Sequence, residues 1–187
     1  MNPPVKFSES ATPSSRRRWL AGAVFAAGSL AVSSARLFAD SSDGISRTAE
    51  SIHQTANFKA APSRIYEALL DTKQFQKIQA LGVSMKAMKL EAKPVRISRE
   101  PGGEFFLFGD YITGRQIELV PNQRIVQAWR EISWDAGVYS LVKFELVVDG
   151  TGTKLVFDHT GFPFGAAEHL AVGWKRNYWD PIDKFLS

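Results

Sequence analysis

The chain has 187 residues, of which 44% are hydrophobic, 12% are aromatic and none is cysteine. That composition suits one packed domain plus an extension, and excludes a disordered chain, a disulfide scaffold and thiol or thiolate chemistry. Of the 23 basic and 19 acidic residues behind its formal charge of +4, five and one precede Asp40, leaving 18 of each from Asp40 onward; that part of the chain is neutral, which argues against a nucleic-acid partner.

Residues 14–40, "SSRRRWLAGAVFAAGSLAVSSARLFAD", open on three arginines and continue into small apolar residues. A spanning helix needs about 20 apolar residues, and Leu20–Val32 is too short and too rich in Ala and Gly. An amphipathic surface helix needs a polar face, and this run has almost none. The remaining reading is a cleavable signal with a basic start, a weakly apolar middle and a small residue at the cut. Ser15-Arg16-Arg17-Arg18-Trp19-Leu20 resembles the twin-arginine export motif, with Trp in place of its Phe and Arg16 and Arg17 as the pair. Both Ser33-Ser34-Ala35 and Leu37-Phe38-Ala39 offer a cut. Residues 1–39 are therefore expected to be a signal peptide read by the export machinery, 40–50 a linker and 51–187 the domain, with a periplasmic or otherwise exported location.

"SIHQTANFKA" (51–60) reads as a strand, followed by a helix in "APSRIYEALLD", where Pro62 suits the first turn and Ile65, Ala68 and Leu69 form a stripe. "TKQFQKIQA" reads as a second short helix, and Gly82–Glu91 as a mobile loop. From Lys93 the apolar period drops to two. "PVRISRE" is a strand, "PGG" a turn, and "EFFLF" with "YITGRQIELV" a hairpin about Gly109-Asp110. "PNQ" turns into "RIVQAWRE"; "YSLVKFELVV" and "TKLVFDHTG" are joined by Asp149-Gly150-Thr151-Gly152, a strong hairpin signal. The last segment, "HLAVGWKRNYWDPIDKFL", is a helix with one apolar strip at Leu170, Trp174, Tyr178 and Phe185 and a second at Val172, Trp179, Ile182 and Leu186. Antiparallel hairpins with helices set apart make an α+β domain, and the final helix is the element large enough to cover a curved sheet.

This order resembles the helix-grip fold of the SRPBCC superfamily, shared by steroidogenic-acute-regulatory-protein-related lipid-transfer domains and birch-pollen allergens. "FKAAPSRIYEALLD", "PGGEFFLFGDYITGRQIELVPNQRIVQAWR", Trp134, "YSLVKFEL", "GTKLVFDHTGFP" and "GWKRNYW" are similar to the activator of heat-shock protein 90 ATPase homologue-like branch. The resemblance implies about seven antiparallel strands wrapped around a long C-terminal helix, with two short helices after the first strand. It is weak for activity, because the fold hosts ligand carriers, cyclases and chaperone partners. The namesake works on a cytosolic, ATP-driven chaperone, and an exported protein meets no ATP pool.

No nucleophile elbow, phosphate loop or metal-ligand spacing is present, so no catalytic residue, metal or cofactor is assigned. Trp129 and Arg130 point to opposite faces of their strand. Trp129 is read as inward; the converse would bury a guanidinium that needs a carboxylate. The candidate site is an apolar cleft under the last helix for a small hydrophobic or amphipathic molecule. Its expected walls are Trp129, Trp134, Phe144, Phe157, Trp174 and Tyr178, with His159 as polar anchor. His159 has a competing reading as a hydrogen-bonded core residue, and the same aromatic rings could instead fill the space. A cyclase or dehydratase pairing His159 with a carboxylate or Tyr139, and a protein-interaction module, are the two alternative functions.

Overall fold

A computed structural model describes residues 50–83, 87 and 93–187; the expected signal peptide (1–39), most of the expected linker and most of the expected Gly82–Glu91 loop lie outside the described residues. The order is β1 (Glu50–Phe58), α1 (Pro62–Leu70), α2 (Thr72–Leu81), β2 (Arg96–Ile97), β3 (Glu104–Leu107), β4 (Ile112–Val120), β5 (Arg124–Glu131), β6 (Ser140–Asp149) and β7 (Gly152–Phe162). The C-terminal helix comprises α3 (Ala167–Trp174), a π-helical turn (Lys175–Trp179) and α4 (Asp180–Leu186). The seven strands form one antiparallel sheet in the order β1-β7-β6-β5-β4-β3-β2. This is the α+β helix-grip architecture expected from the hairpin signals and the final amphipathic segment.

Strand alternation decides what the sheet buries. On β5, Ile125, Gln127, Trp129 and Glu131 turn inward; on β6, Ser140, Val142, Phe144 and Leu146; on β7, Leu155, Phe157 and His159. The outer faces carry charged residues such as Lys143, which bridges Glu145 and Asp158 at 3.2 and 3.1 Å. β2 is shorter than "PVRISRE" suggested. Pro94 and Pro101 bracket it without N–H groups to donate, although Ser98 N still bonds Glu104 O at 2.9 Å. At Gly114 the chains approach too closely for any side chain: a Cβ there would lie 2.1 Å from Ala128 O and 2.3 Å from the Phe105 ring.

The helix ends are fixed by local chemistry. Pro62 sits in the first turn of α1, and the Asp71 side chain caps α2 by accepting from Gln74 N at 2.8 Å. The Glu50 carboxylate accepts from Gly165 N and Ala167 N at 3.0 and 3.1 Å, so the edge strand β1 holds the start of α3. Gln54, also on β1, donates to Ala171 O at 2.9 Å and accepts from Trp179 Nε1 at 2.7 Å. These bonds fasten the C-terminal helix across the edge of the sheet.

The π turn has an identifiable cause. Pro181 lacks an N–H and its ring collides with the carbonyl four residues earlier, which loosens the α pattern just upstream. Asp180 N bonds to Lys175 O, five residues back. The wider turn brings Trp174, Tyr178 and Trp179 inward together: Trp179 stacks on Trp174 at 5.8 Å and 19°, while Tyr178 lies 4.3 Å from it. A regular helix would have kept the two apolar strips apart. Instead Leu170, Trp174, Tyr178, Trp179 and Ile182 are buried, and Val172 is left exposed.

Candidate ligand cavity beneath the C-terminal helix

Between the C-terminal helix, β5 and the β3–β4 hairpin lies a partly enclosed cavity of about 210 Å³. Its apolar walls are Phe108, Ile112, Trp129, Leu170, Trp174 and Tyr178. Phe108 reaches it through an unusual turn: Phe108, Gly109 and Asp110 all have positive φ, at 51°, 69° and 68°. For a non-glycine residue that conformation is costly, and buried Gln79 on α2 supports it by accepting from Phe108 N at 2.9 Å. The Phe108 ring then sits edge-on to Phe75 and Tyr178 at 5.9 and 5.5 Å.

The polar part of the lining comes from Tyr111, Glu131, His169, Arg176 and Asn177. Glu131 shares the inward face of β5 with Trp129, and its side chain is only 10% exposed. Its Oε2 accepts from Ser133 Oγ at 3.3 Å, and its Oε1 lies 3.6 Å from His169 Nε2. Burial raises the Glu131 pKa above the usual carboxylate range, partly offset by His169 and Ser133. Tyr111 is also pushed up, first by burial and then by the nearby Glu131 charge. His169 and Arg176 are exposed at the opening.

Among the described residues, two buried polar atoms of the lining side chains have no hydrogen-bond partner: Trp129 Nε1 and Tyr178 Oη. They lie near enough for the indole to lower the hydroxyl's pKa, and the Glu131 charge also reaches that hydroxyl. Burial dominates and drives the Tyr178 pKa upward. Yet no bond of good geometry joins the two atoms. An unpartnered buried polar group costs about 1–3 kcal/mol, and such groups call for an explanation.

Of the residues expected from the sequence, Trp129, Trp174 and Tyr178 meet at this cavity. Trp134, Phe144, Phe157 and His159 lie outside its lining. Trp134 packs edge-on to Trp129 at 5.5 Å. Phe144 and Phe157 pack on each other and on Trp174 and Trp179, filling the sheet end of the core. Arg130 turns outward, donating to Trp134 O at 2.7 Å.

His159 is fully buried. Its Nδ1 accepts from Trp174 Nε1 at 3.0 Å and its Nε2 lies 2.7 Å from Ser140 Oγ. An indole nitrogen can only donate, so the imidazole proton resides on Nε2 and is given to Ser140, whose hydroxyl donates to Trp129 O at 2.9 Å. Both ring nitrogens are thus occupied within the protein. Burial pushes the His159 pKa down to about 3. Tyr139, the other acid–base candidate, is exposed, so His159 and Tyr139 do not meet at the cavity. Sequence reasoning passed over Glu131 and Tyr111; Glu131 stands two residues after Trp129 and therefore on its face.

Among solved structures, the domain is similar to an HSP90 activator from Plasmodium falciparum, with a TM-score of 0.64 and 24% identity over 73% of this chain and 95% of that one. It is also similar to CalU16 from Micromonospora echinospora, with a TM-score of 0.59 and 21% identity over 74% and 77% of the two chains. In sequence it is 40% identical over 89 residues to the activator of 90 kDa heat shock protein ATPase homolog of Dictyostelium discoideum, covering 47% of this chain and 23% of that protein. It is 29% identical over 118 residues to the mouse homolog 2, covering 63% and 36%. The chain thus matches only a quarter to a third of the length of these curated relatives. A family model spans residues 59–187, from the end of β1 through the C-terminal helix, and the chain belongs to the Activator of Hsp90 ATPase homolog 1-like protein family, within the SRPBCC superfamily.

Proposed function

We propose that this is an exported, non-catalytic binding protein that holds a small hydrophobic or amphipathic molecule between its C-terminal helix and sheet. One observation carries the reading: a partly enclosed, mostly apolar cavity of about 210 Å³ beneath the C-terminal helix, with Glu131 in its lining. An apolar hollow walled by aromatic rings and carrying a few polar groups is the usual form of a small-molecule site. Trp129, Trp174 and Tyr178 are its proposed contacts, and the strained turn at Phe108 is in keeping with a binding site.

The test is direct. One- and two-ring aromatic compounds should change the tryptophan fluorescence saturably with one-to-one stoichiometry. Gly173 lines the cavity, and a Cβ added there would meet nothing within 4 Å. Gly173→Leu should therefore fill the space and weaken binding at least tenfold while the protein stays folded. No saturable response from any compound would overturn the reading.

Export rests on Arg16, Arg17 and Arg18 ahead of the weakly apolar run. Changing all three to Lys should abolish export of a reporter fused after Ser42, and undiminished export would remove the twin-arginine reading.

The relatives' names favour a second reading, a protein-interaction module that engages an Hsp90-type ATPase. Stimulation of such an ATPase by this chain, together with an absence of small-molecule binding, would make it the better one.

A further inference from the structure

We infer that the cavity takes a small aromatic amine in its cationic form, with the ammonium on the Glu131 carboxylate and the ring against the aromatic walls. The inference deepens the small-molecule reading above and rests on it.

Size sets the first limit. A dry apolar cavity of about 150 Å³ accepts benzene, so about 210 Å³ has room for one ring and a short substituent. Drug-sized ligands occupy sites of about 300–1,000 Å³. The walls are aromatic: Phe108 meets Tyr178 edge-on at 5.5 Å, and Trp174 lies 5.5 Å from Trp129 and 4.3 Å from Tyr178. The negative faces of such rings attract a cation as well as an apolar ring.

Charge decides the class. Among the described residues, Glu131 is the one acidic side chain of the lining. It turns inward two residues after Trp129 on the same face of β5, roughly 7 Å along the strand. Its side chain is 10% exposed, yet no lysine or arginine pairs with it among the described residues. Ser133 donates to it at 3.3 Å, a long bond. His169 Nε2 stands at 3.6 Å, beyond hydrogen-bond reach, on a side chain that is 71% exposed. A buried carboxylate so weakly compensated is costly, and its pKa is raised accordingly.

An ammonium guest supplies both the missing counter-charge and N–H donors, and an ionised carboxylate can only accept. A neutral guest would leave the charge uncompensated. A carboxylate guest would set a second negative charge beside the first in a poorly solvated site. Two basic side chains also border the cavity, His169 and Arg176, but both are exposed at its opening, where water screens them. Tyr111 and Tyr178, the other titratable groups near Glu131, are held neutral because burial raises their pKa values. The buried charge therefore sets the sign of the guest.

The experiment titrates the full chain by calorimetry at about pH 8, which keeps the amine charged and favours the ionised carboxylate. Four probes share one shape: benzylammonium, benzyl alcohol, ethylbenzene and benzoate. Benzylammonium should bind about tenfold or more tightly than the alcohol and the hydrocarbon, the return expected from a hydrogen bond to a charged group. Added salt should weaken it only slightly, because a buried pair is poorly screened. Glu131→Gln keeps the side-chain volume and removes a charge that burial disfavours, so it should fold; in it the three affinities should converge to within about threefold. Glu131→Asp keeps the charge and should retain part of the preference, which a merely structural role would not explain. The probe series on the unmodified chain decides the question even if a variant fails to fold. Equal binding of the amine and the neutral probes would overturn the cation assignment while leaving a ligand cavity in place. Tightest binding of benzoate would overturn it in favour of an anion held by His169 and Arg176. If none of the four binds, the small-molecule reading itself falls.

Discussion

Trp174→Ala is expected to destabilise the domain by about 3–5 kcal/mol, a large share of the roughly 5–15 kcal/mol that holds a typical domain folded. The ring is 2% exposed and sits at the centre of the aromatic core. It lies 4.4 Å from Phe157, 5.5 Å from Trp129, 5.9 Å from Phe144 and 4.3 Å from Tyr178, and it stacks on Trp179. Truncation would remove those contacts and open a void continuous with the existing cavity. It would also strip His159 Nδ1 of its donor, leaving a buried acceptor unsatisfied. Trp174→Phe separates the two effects: it keeps most of the apolar contact but loses the N–H, and should cost about 1–3 kcal/mol from the orphaned nitrogen plus a smaller packing loss. Urea denaturation of both variants measures the difference. A cost below about 1 kcal/mol for the alanine variant would mean that the ring does not organise this core.

The antiparallel order was legible because its signals are local. Asp149-Gly150-Thr151-Gly152 joins β6 to β7, with Asp149 paired to Gly152, and period-two alternation assigned Trp129, Phe144 and Phe157 to the inner face. The cavity was only half legible. Trp174 and Tyr178 followed from their four-residue spacing, but Phe144 and Phe157 became packing partners of Trp179. That outcome depends on the π turn, which a 3.6-residue period does not contain; Pro181, which stands just after it, was the available signal. Glu131 was missed for a different reason. It occupies the next inward position after Trp129, where a carboxylate in an apolar face conflicts with the binary pattern, as functional sites tend to do. The His159 network could not be read at all from spacing. Its three partners, Trp129, Ser140 and Trp174, come from two strands and the final helix, and only the folded sheet brings them together.

The same network makes stability depend on pH. In the unfolded chain His159 should titrate near 6.5, whereas in the folded protein burial holds its pKa at about 3. Between those values the unfolded state binds the proton and the folded state does not, so acidification favours unfolding. The stabilising effect is complete above about pH 6.5 and is lost as pH falls toward 3, by up to about 1.4 kcal/mol per unit and on the order of 4–5 kcal/mol in all. Carboxylates with lowered pKa values, Asp158 beside His53 and Lys143 and Glu67 beside Arg99, add losses of the same sign. Their window lies below the ordinary carboxylate pKa, so they contribute little between pH 5 and 6.5. Glu131, raised by burial, acts in the opposite direction, gaining protons in the folded state as pH falls. His159→Phe leaves Glu131 in place, so comparing the two proteins cancels its contribution. Between pH 7 and pH 5 His159 should lower the unfolding free energy of the parent protein by about 2 kcal/mol, against which Glu131 acts. The variant, though less stable at pH 7 because Ser140 and Trp174 lose their shared partner, should change by about 2 kcal/mol less over the same interval. Equal pH slopes in the two proteins would show that His159 is protonated in the fold, and the Trp174–His159–Ser140 chain of hydrogen bonds would have to be redrawn with both imidazole nitrogens as donors.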